Sequence, residues 1–211
     1  MRKPVSKQPY SSTPLLPSTI VDVSIFMVTL FLANWVWKLM VHGDEAGVGI
    51  VTWFGMDATP LFDAYARHIA KVVYAFVHTF RDTLVMTDDV TMHFVNGGGT
   101  RIVWSCTPLK QMFIWICLIL TTRTSFSAAV FQRSGLSVKR SFSVAVLSKL
   151  WFIPLGCLLI HFINLARIAA ITAFMEFHPE WFELLHTYIF KYVFYGLMFL
   201  FWVFYIEKIR K

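Results

Sequence analysis

The chain has 211 residues, of which 57% are hydrophobic and only 15% are charged, whereas about a quarter of the residues in a soluble domain are charged. This composition predicts an integral membrane protein and excludes an ordinary soluble domain. The formal net charge is +7, but the basic residues are divided among short segments between apolar runs, which argues against nucleic-acid binding.

The N-terminal part of the chain is predicted to be a tail followed by a membrane anchor. Residues 1–19 are polar and rich in proline and serine, which indicates a disordered cytoplasmic tail. Residues 20–41 form an apolar run long enough to span a bilayer. A signal peptide is the alternative, but no Ala-x-Ala cleavage pattern follows, so we favour an uncleaved anchor. We expect Trp35 and Trp37 to lie in the aromatic belt at the membrane boundary.

The next segment, residues 42–105, has no excess of basic residues, which is typical of a segment outside the cytoplasm. Within it, Asp63–Leu84 has apolar residues at helical spacing and predicts an amphipathic helix on the bilayer surface or over the bundle. Two alternating stretches, Val90–Val95 and Thr100–Trp104, flank Asn96–Gly99 and predict a β-hairpin. Together these elements predict a small outer cap.

Three further apolar runs follow the cap, at residues 108–122, 142–163 and 187–206. The loop at 123–141 has four basic residues and no acidic one, which places it in the cytoplasm together with both termini. The predicted fold is therefore an all-α polytopic membrane protein with about four transmembrane helices, and residues 20–211 form a single membrane-embedded domain.

Three reactive side chains lie where apolar runs meet polar stretches, and the charge count puts all three junctions on the outer side. The first is Cys106. Thr107 is a good helix N-cap and Pro108 suits the first helical position, so the cysteine is predicted to lie at a helix N-terminus. The partial positive charge there favours a thiolate. The alternative for Cys106 alone is an inert interfacial cysteine.

The other two side chains are Arg167 and His186. The guanidinium of Arg167 stays charged at any working pH, so it suits an oxyanion better than proton transfer. His186 titrates near neutrality and can take a proton from a thiol or return one to a leaving amine. Taken singly, a snorkelling arginine and a hydrogen-bonded interfacial histidine remain the ordinary alternatives.

Two weaker groups of side chains could in principle bind a metal, and we expect neither to do so. The spacing of the first group matches no standard zinc site, and a solvated turn explains it better. The second group has no clearly convergent carboxylate. The groups are Asp88, Asp89 and His93, and His161, His178 and His186. No heme, flavin or nucleotide motif is apparent, so no cofactor is expected.

The order of Cys106 in Trp-Ser-Cys, Arg167 in Asn164-x-x-Arg, and His186 resembles the exosortase/archaeosortase family over roughly residues 90–206. These are polytopic membrane enzymes of bacteria and archaea, proposed to be cysteine transpeptidases that process C-terminal sorting signals. One position departs from the family pattern, because Pro108 stands where the family commonly has a glycine.

The resemblance implies a membrane cysteine peptidase or transpeptidase in the bacterial or archaeal cytoplasmic membrane, with an outward-facing site. Cys106 would be the nucleophile, Arg167 the oxyanion partner and His186 the proton carrier, with Asn164 and Thr107 as substrate-binding or orienting residues. The implied partners are the lipid bilayer and secreted proteins that end in a membrane span and a basic tail. The alternative is a non-enzymatic membrane scaffold or assembly factor with a degenerate version of the fold.

Overall fold

The computed structural model describes residues 16–44, 49–95, 97–122 and 138–210. Within these ranges three helices are long and apolar enough to cross a membrane, with candidate spans Ile20–Met40, Lys149–Phe174 and Pro179–Lys208. The chain is thus a helical membrane protein with a small β-sheet part, as its composition predicts.

The described residues contain five α-helices: α1 (Leu16–Met40), α2 (Thr59–His78), α3 (Leu109–Thr121), α4 (Val138–Phe174) and α5 (Phe190–Arg210). Helix α1 begins at Leu16, so its first four residues lie within the predicted N-terminal tail. The rest of that tail, residues 1–15, and most of the predicted cytoplasmic loop, residues 123–137, lie outside the described residues.

The structure does not confirm four spans, because helix α3 is too short. It has 13 residues, roughly 20 Å of helix, which is less than the hydrocarbon core of a bilayer. Its side chains Ile114, Trp115, Leu118 and Ile119 are almost fully buried, and it packs against α1 and α4. A short apolar run of this kind is typical of a buried core helix.

Helix α4 is longer than the sequence predicts. It continues past the expected end at residue 163 to Phe174, because the following residues are mainly alanine, leucine and isoleucine, with no glycine or proline to stop the helix. Asn164 and Arg167 therefore lie on a regular helix and not in a connection. Pro154 is also inside this helix.

A lysine on α4 forms hydrogen bonds with the C-terminal end of α3. The Lys149 ammonium donates hydrogen bonds of 3.0 Å to the main-chain carbonyls of Leu120 and Thr122. The Thr122 hydroxyl in turn accepts a hydrogen bond of 2.9 Å from the Trp202 indole on α5. Carbonyls that have no partner within α3 are thus satisfied by a neighbouring helix.

The centre of the bundle depends on a close approach of α3 and α4. Gly156 on α4 faces the indole of Trp115, and a Cβ at that position would overlap the indole ring. Around this contact the core is aromatic: Phe26 of α1 lies with its ring 4.7 Å from that of Trp202 and 5.1 Å from that of Phe199. Of the two tryptophans predicted for the aromatic belt, Trp37 is buried against Phe113 and Trp35 is exposed.

The amphipathic helix of the cap is confirmed as α2, with bounds shifted toward the N-terminus. Thr59 opens it, and its main-chain N–H donates to the Asp57 carboxylate at 2.9 Å. One face of α2 is buried, at Phe62, Ala66, Ile69, Ala70, Val73 and Val77. This face packs on α4, so the helix lies over the bundle.

The predicted β-hairpin is also confirmed, as β5 (Thr91–Phe94) paired antiparallel with β6 (Gly99–Arg101). A third strand that the sequence did not predict, β4 (Leu84–Met86), pairs with β5. The tip of the hairpin rests on the end of α4, where the Gly98 N–H donates to the Met175 carbonyl at 2.9 Å. The cap is therefore attached to the helix that carries Arg167.

A second small sheet follows α1 and was not predicted. Its antiparallel strands are β1 (Val41–His42), β2 (Thr52–Trp53) and β3 (Met56–Asp57). The chain returns from the hairpin through a 3₁₀ turn at Trp104–Cys106 and then enters α3. The Trp104 indole donates to the Asp44 carbonyl at 2.7 Å, which connects this turn to the segment after α1.

Candidate active site

Cys106 is the last residue of the 3₁₀ turn that precedes α3. The predicted N-cap at Thr107 is wrong, because Pro108 occupies the cap position and α3 begins at Leu109. The buried Thr107 hydroxyl turns back and donates to the Trp104 carbonyl at 2.7 Å, so it closes the turn. Cys106 thus precedes the first helical residue by three positions and is not at the helix end itself.

Asn164 fixes this turn to α4. Its side-chain N–H donates a hydrogen bond of 3.0 Å to the Cys106 main-chain carbonyl, and the side chain is only 1% exposed. Since a buried hydrogen bond between rigid elements leaves little freedom to the groups it joins, Asn164 determines where the thiol sits. The role of Asn164 in this structure is therefore to position Cys106. Thr107 contributes through its own hydrogen bond within the turn.

Arg167 lies one helical turn beyond Asn164 on α4. Its Nη2 donates to the His186 main-chain carbonyl at 3.5 Å, a long hydrogen bond. Its Nε is buried and has no hydrogen-bond partner among the described residues. A buried guanidinium N–H without a partner is costly, which favours an oxygen ligand there.

His186 lies in a π-helical turn, Leu184–Ile189, immediately before α5. Its ring stacks on Phe182, with centroids 5.3 Å apart and planes 10° from parallel. Arg167 is near enough to interact electrostatically with the imidazole. Among the described residues no hydrogen bond joins the imidazole to the Cys106 thiol.

Arg167 and His186 line a cleft of about 820 Å³ at one end of the bundle. The neighbours of Cys106, Ser105 and Thr107, also line it, whereas Cys106 itself packs against the apolar cluster that includes Ile69 and Ile168. A volume of this size accommodates a short peptide segment or a lipid head group. The cleft also opens next to Trp37 and Trp104, which supply flat apolar walls.

Sequence reasoning missed the lysines of this cleft. Lys38 comes from the end of α1, Lys110 from the first turn of α3, and Lys191 from the first turn of α5. One signal could have revealed them: each lies at the same end of an apolar run as the three predicted residues, on the side where the positive-inside rule predicts few basic residues.

The weaker metal-binding candidates have other partners. The Asp88 carboxylate accepts hydrogen bonds from the Val90 and Thr91 main-chain N–H groups at 2.8 and 2.7 Å, which makes it a turn residue. His93 bonds to Thr87. In the part of the chain that the structure describes, no three His, Cys, Asp or Glu side chains are grouped to hold a metal.

The second histidine group is dispersed. His161 bonds through Nδ1 to the Tyr65 hydroxyl at 2.9 Å and stacks on His68. His178 pairs with Glu180 at 3.1 Å. Each imidazole therefore has a separate local partner, and only His186 faces the cleft.

Comparison of the chain with family models, curated protein sequences and solved structures gives no match. The resemblance to exosortases and archaeosortases therefore remains a prediction that rests on Cys106, Asn164, Arg167 and His186.

Proposed function

We propose that the chain is an integral membrane cysteine peptidase or transpeptidase of the exosortase/archaeosortase type. Cys106 is the nucleophile, Arg167 stabilises the oxyanion, and His186 carries the proton. The observation that supports this assignment most is the geometry of Arg167, whose Nη2 donates to the His186 main-chain carbonyl at 3.5 Å and whose buried Nε has no partner among the described residues.

The reaction begins when the Cys106 thiol gives its proton to the His186 imidazole and the sulfur attacks a peptide carbonyl carbon. Arg167 stabilises the negative charge that forms on the carbonyl oxygen. The C–N bond then breaks, His186 returns the proton to the leaving amine, and the acyl group remains on sulfur as a thioester. An amine or a water molecule attacks the thioester, its proton passes through His186 to the sulfur, and the thiol is restored.

Two features of Arg167 suit this role. A planar guanidinium offers several N–H donors in a fixed geometry, which matches a developing oxyanion better than a flexible ammonium does. The buried Nε, which has no partner among the described residues, would be satisfied by that oxygen. The chemistry also requires His186 to approach the thiol, and catalytic hydrogen bonds are often long before substrate binds.

The substrate in this proposal is a secreted protein that ends in a short motif, a membrane span and a basic tail. Its span lies beside the helices of the enzyme, so the bond to be cleaved reaches the cleft at the membrane boundary. The chain would reside in the bacterial or archaeal cytoplasmic membrane with the cleft facing outward. Labelling of a cysteine introduced at residue 135 from outside intact cells would contradict this orientation.

The experiment that tests the proposal follows the size of such a secreted protein in cells that carry variants of the chain. Cys106→Ser and Cys106→Ala are nearly isosteric, so both should insert normally, and both should abolish processing. A serine hydroxyl is far harder to deprotonate than a thiol. The matched controls are Cys117→Ala and Cys157→Ala, which remove partly buried thiols of the bundle core and should leave processing intact.

Normal processing by Cys106→Ala would eliminate the nucleophile assignment. The non-enzymatic scaffold would then be the better hypothesis, because a scaffold tolerates a change that barely alters packing. Loss of processing in the Cys117 and Cys157 variants as well would indicate a general folding defect, which a measurement of membrane-inserted protein would reveal.

A further inference from the structure

The cleft beside Cys106 is lined by several positively charged side chains. Lys38, Lys110, Arg167 and Lys191 line it, together with the imidazoles of His42 and His186. No aspartate or glutamate is among the described residues that form its walls. The lysines and the arginine come from four separate helices of the fold, so the arrangement is a product of tertiary packing and not of one basic stretch.

Such a concentration of one sign costs free energy through mutual repulsion, and a concave surface focuses the resulting potential. Two of the lysines, Lys38 and Lys191, are exposed, but they approach the same space as the partly buried Arg167. A bound anion would offset this repulsion, whereas a neutral ligand would not.

The N-terminus of α3 adds to this potential. Lys110 and Gln111 lie in its first turn and line the cleft. First-turn N–H groups have no intrahelical partner, and they favour phosphate and other anions. A helix of 13 residues is long enough to carry a useful dipole.

We propose that this cleft is a binding site for a phosphate-bearing anion, held by Lys38 and Lys191 together with Arg167 beside the N-terminus of α3. The site goes beyond the proposed peptidase activity, since it does not require Cys106 to be a nucleophile. Compact ammonium groups bind phosphate as point charges. Basic pockets between membrane helices commonly bind anionic lipid head groups, and Lys38 lies at the end of a candidate span. A phosphate of a head group and a free phosphate share the chemistry recognised here.

The test measures equilibrium binding of radiolabelled phosphatidylglycerol to the purified full chain in an uncharged detergent. The double variant Lys38→Gln/Lys191→Gln should bind it about 25-fold more weakly at low salt, roughly fivefold for each lysine. Lys38→Arg/Lys191→Arg keeps both charges and should retain most of the affinity. The matched control is Lys71→Gln/Lys208→Gln, which removes two exposed lysines that do not line the cleft and should bind as the unmodified chain does.

Competition separates the two sources of phosphate. If millimolar inorganic phosphate displaces the lipid from the unmodified chain, the site takes the phosphate group itself. If inorganic phosphate has no effect while binding still depends on the lysines, the site takes the lipid head group. Either result supports an anion site, and binding should weaken with added sodium chloride.

Two results would overturn the proposal. One is equal affinity of the cleft variant and the Lys71/Lys208 control. The other is lysine-dependent binding of a polyglutamate peptide with no measurable binding of either phosphate probe, which would make the cleft a site for acidic peptides. Size-exclusion chromatography of each variant in the same detergent shows whether a loss of binding reflects misfolding, and the arginine variant provides a second, charge-preserving comparison.

Discussion

The side chain of Asn164 and the main chain of Cys106 are joined by a hydrogen bond of 3.0 Å across 58 positions of the sequence. This contact attaches the turn that carries the thiol to the helix that carries Arg167. The oxygen of the Asn164 amide, Oδ1, is buried without a hydrogen-bond partner among the described residues. The amide therefore acts on the cysteine turn as a donor, through its N–H group.

Replacing Asn164 by leucine should therefore destabilise the protein and displace the thiol. The buried Cys106 carbonyl would lose its donor, which costs about 1–3 kcal/mol, and processing of the substrate should fall with it. Thr172→Val is the matched control, because Thr172 is on the same helix, is also 1% exposed, and its hydroxyl has no partner among the described residues. Thermal unfolding in detergent provides the comparison; equal stability of the two variants would contradict the role of Asn164.

Arg167→Lys keeps the positive charge but removes the planar set of donors. If Arg167 stabilises an oxyanion, turnover should fall about 100-fold, the usual cost of losing one such donor, while expression is unchanged. Arg67→Lys, at an exposed position of α2, should have no effect. Single-turnover rates of the purified variants would measure this, and an unimpaired Arg167→Lys enzyme would reduce the residue to a generic charge.

The contact between Gly156 and Trp115 predicts a large stability difference between two glycine substitutions. In Gly156→Ala the new Cβ would overlap the indole ring, and the helices must separate, at a cost of about 1–3 kcal/mol or more. In Gly196→Ala no atom lies within 4 Å of the new Cβ. That variant should gain about 0.5–1 kcal/mol, because alanine loses less conformational freedom in a helix. Thermal unfolding of both variants in the same detergent tests the pair, and equal melting temperatures would contradict the packing described.

The turn at Asp88 should respond to acid. Hydrogen bonds from the Val90 main chain and then from Thr91, with a contribution from Arg101, lower the pKa of the Asp88 carboxyl. Because the pKa is lower in the folded state, the carboxylate stabilises the fold above the ordinary value of about 4, and this stability is lost as the pH falls through the lowered pKa.

Asp88→Ala should accordingly increase amide hydrogen exchange at Val90 and Thr91 at pH 7. The difference from the unmodified chain should shrink when the pH is lowered below about 4, since the aspartate is then progressively protonated. Asp88→Asn keeps an acceptor oxygen and does not titrate, so its protection should change less with pH. A constant difference across this range would show that the charge of Asp88 is not what holds the turn.

Some of this architecture follows from the sequence because local pattern determines it. The apolar periodicity around Ile69 and Val73 predicts an amphipathic helix, and both side chains are buried on one face of α2. The Asn-Gly turn predicts the hairpin, and the register pairs His93 with Gly99. In each case the information lies within about twenty consecutive residues, and tertiary contacts only reinforce it.

Other features could not be predicted because they depend on distant parts of the chain. An apolar run does not distinguish a span from a core helix, so the burial of Trp115 in α3 was not foreseen. The Thr107 hydroxyl could have capped α3, but the backbone of the preceding turn presents the Trp104 carbonyl to it. Lys38, Lys110 and Lys191 come together only when α1, α3 and α5 pack. The sequence of any one segment therefore does not predict their convergence.

Helix α4 carries a charged group near each edge of its apolar stretch, Lys149 at one end and Arg167 near the other. The eighteen positions between them correspond to roughly 27 Å of helix, close to the roughly 30 Å thickness of a bilayer's hydrocarbon core. Because Lys149 is held by the carbonyls of Leu120 and Thr122, we expect acyl-chain length to set the depth of Arg167 relative to the hydrocarbon. With longer lipids the helix tilts less, or the guanidinium enters the hydrocarbon. With shorter lipids the cleft lies farther from a membrane-bound partner. We therefore expect the accessibility of this site to depend on the thickness of the surrounding membrane.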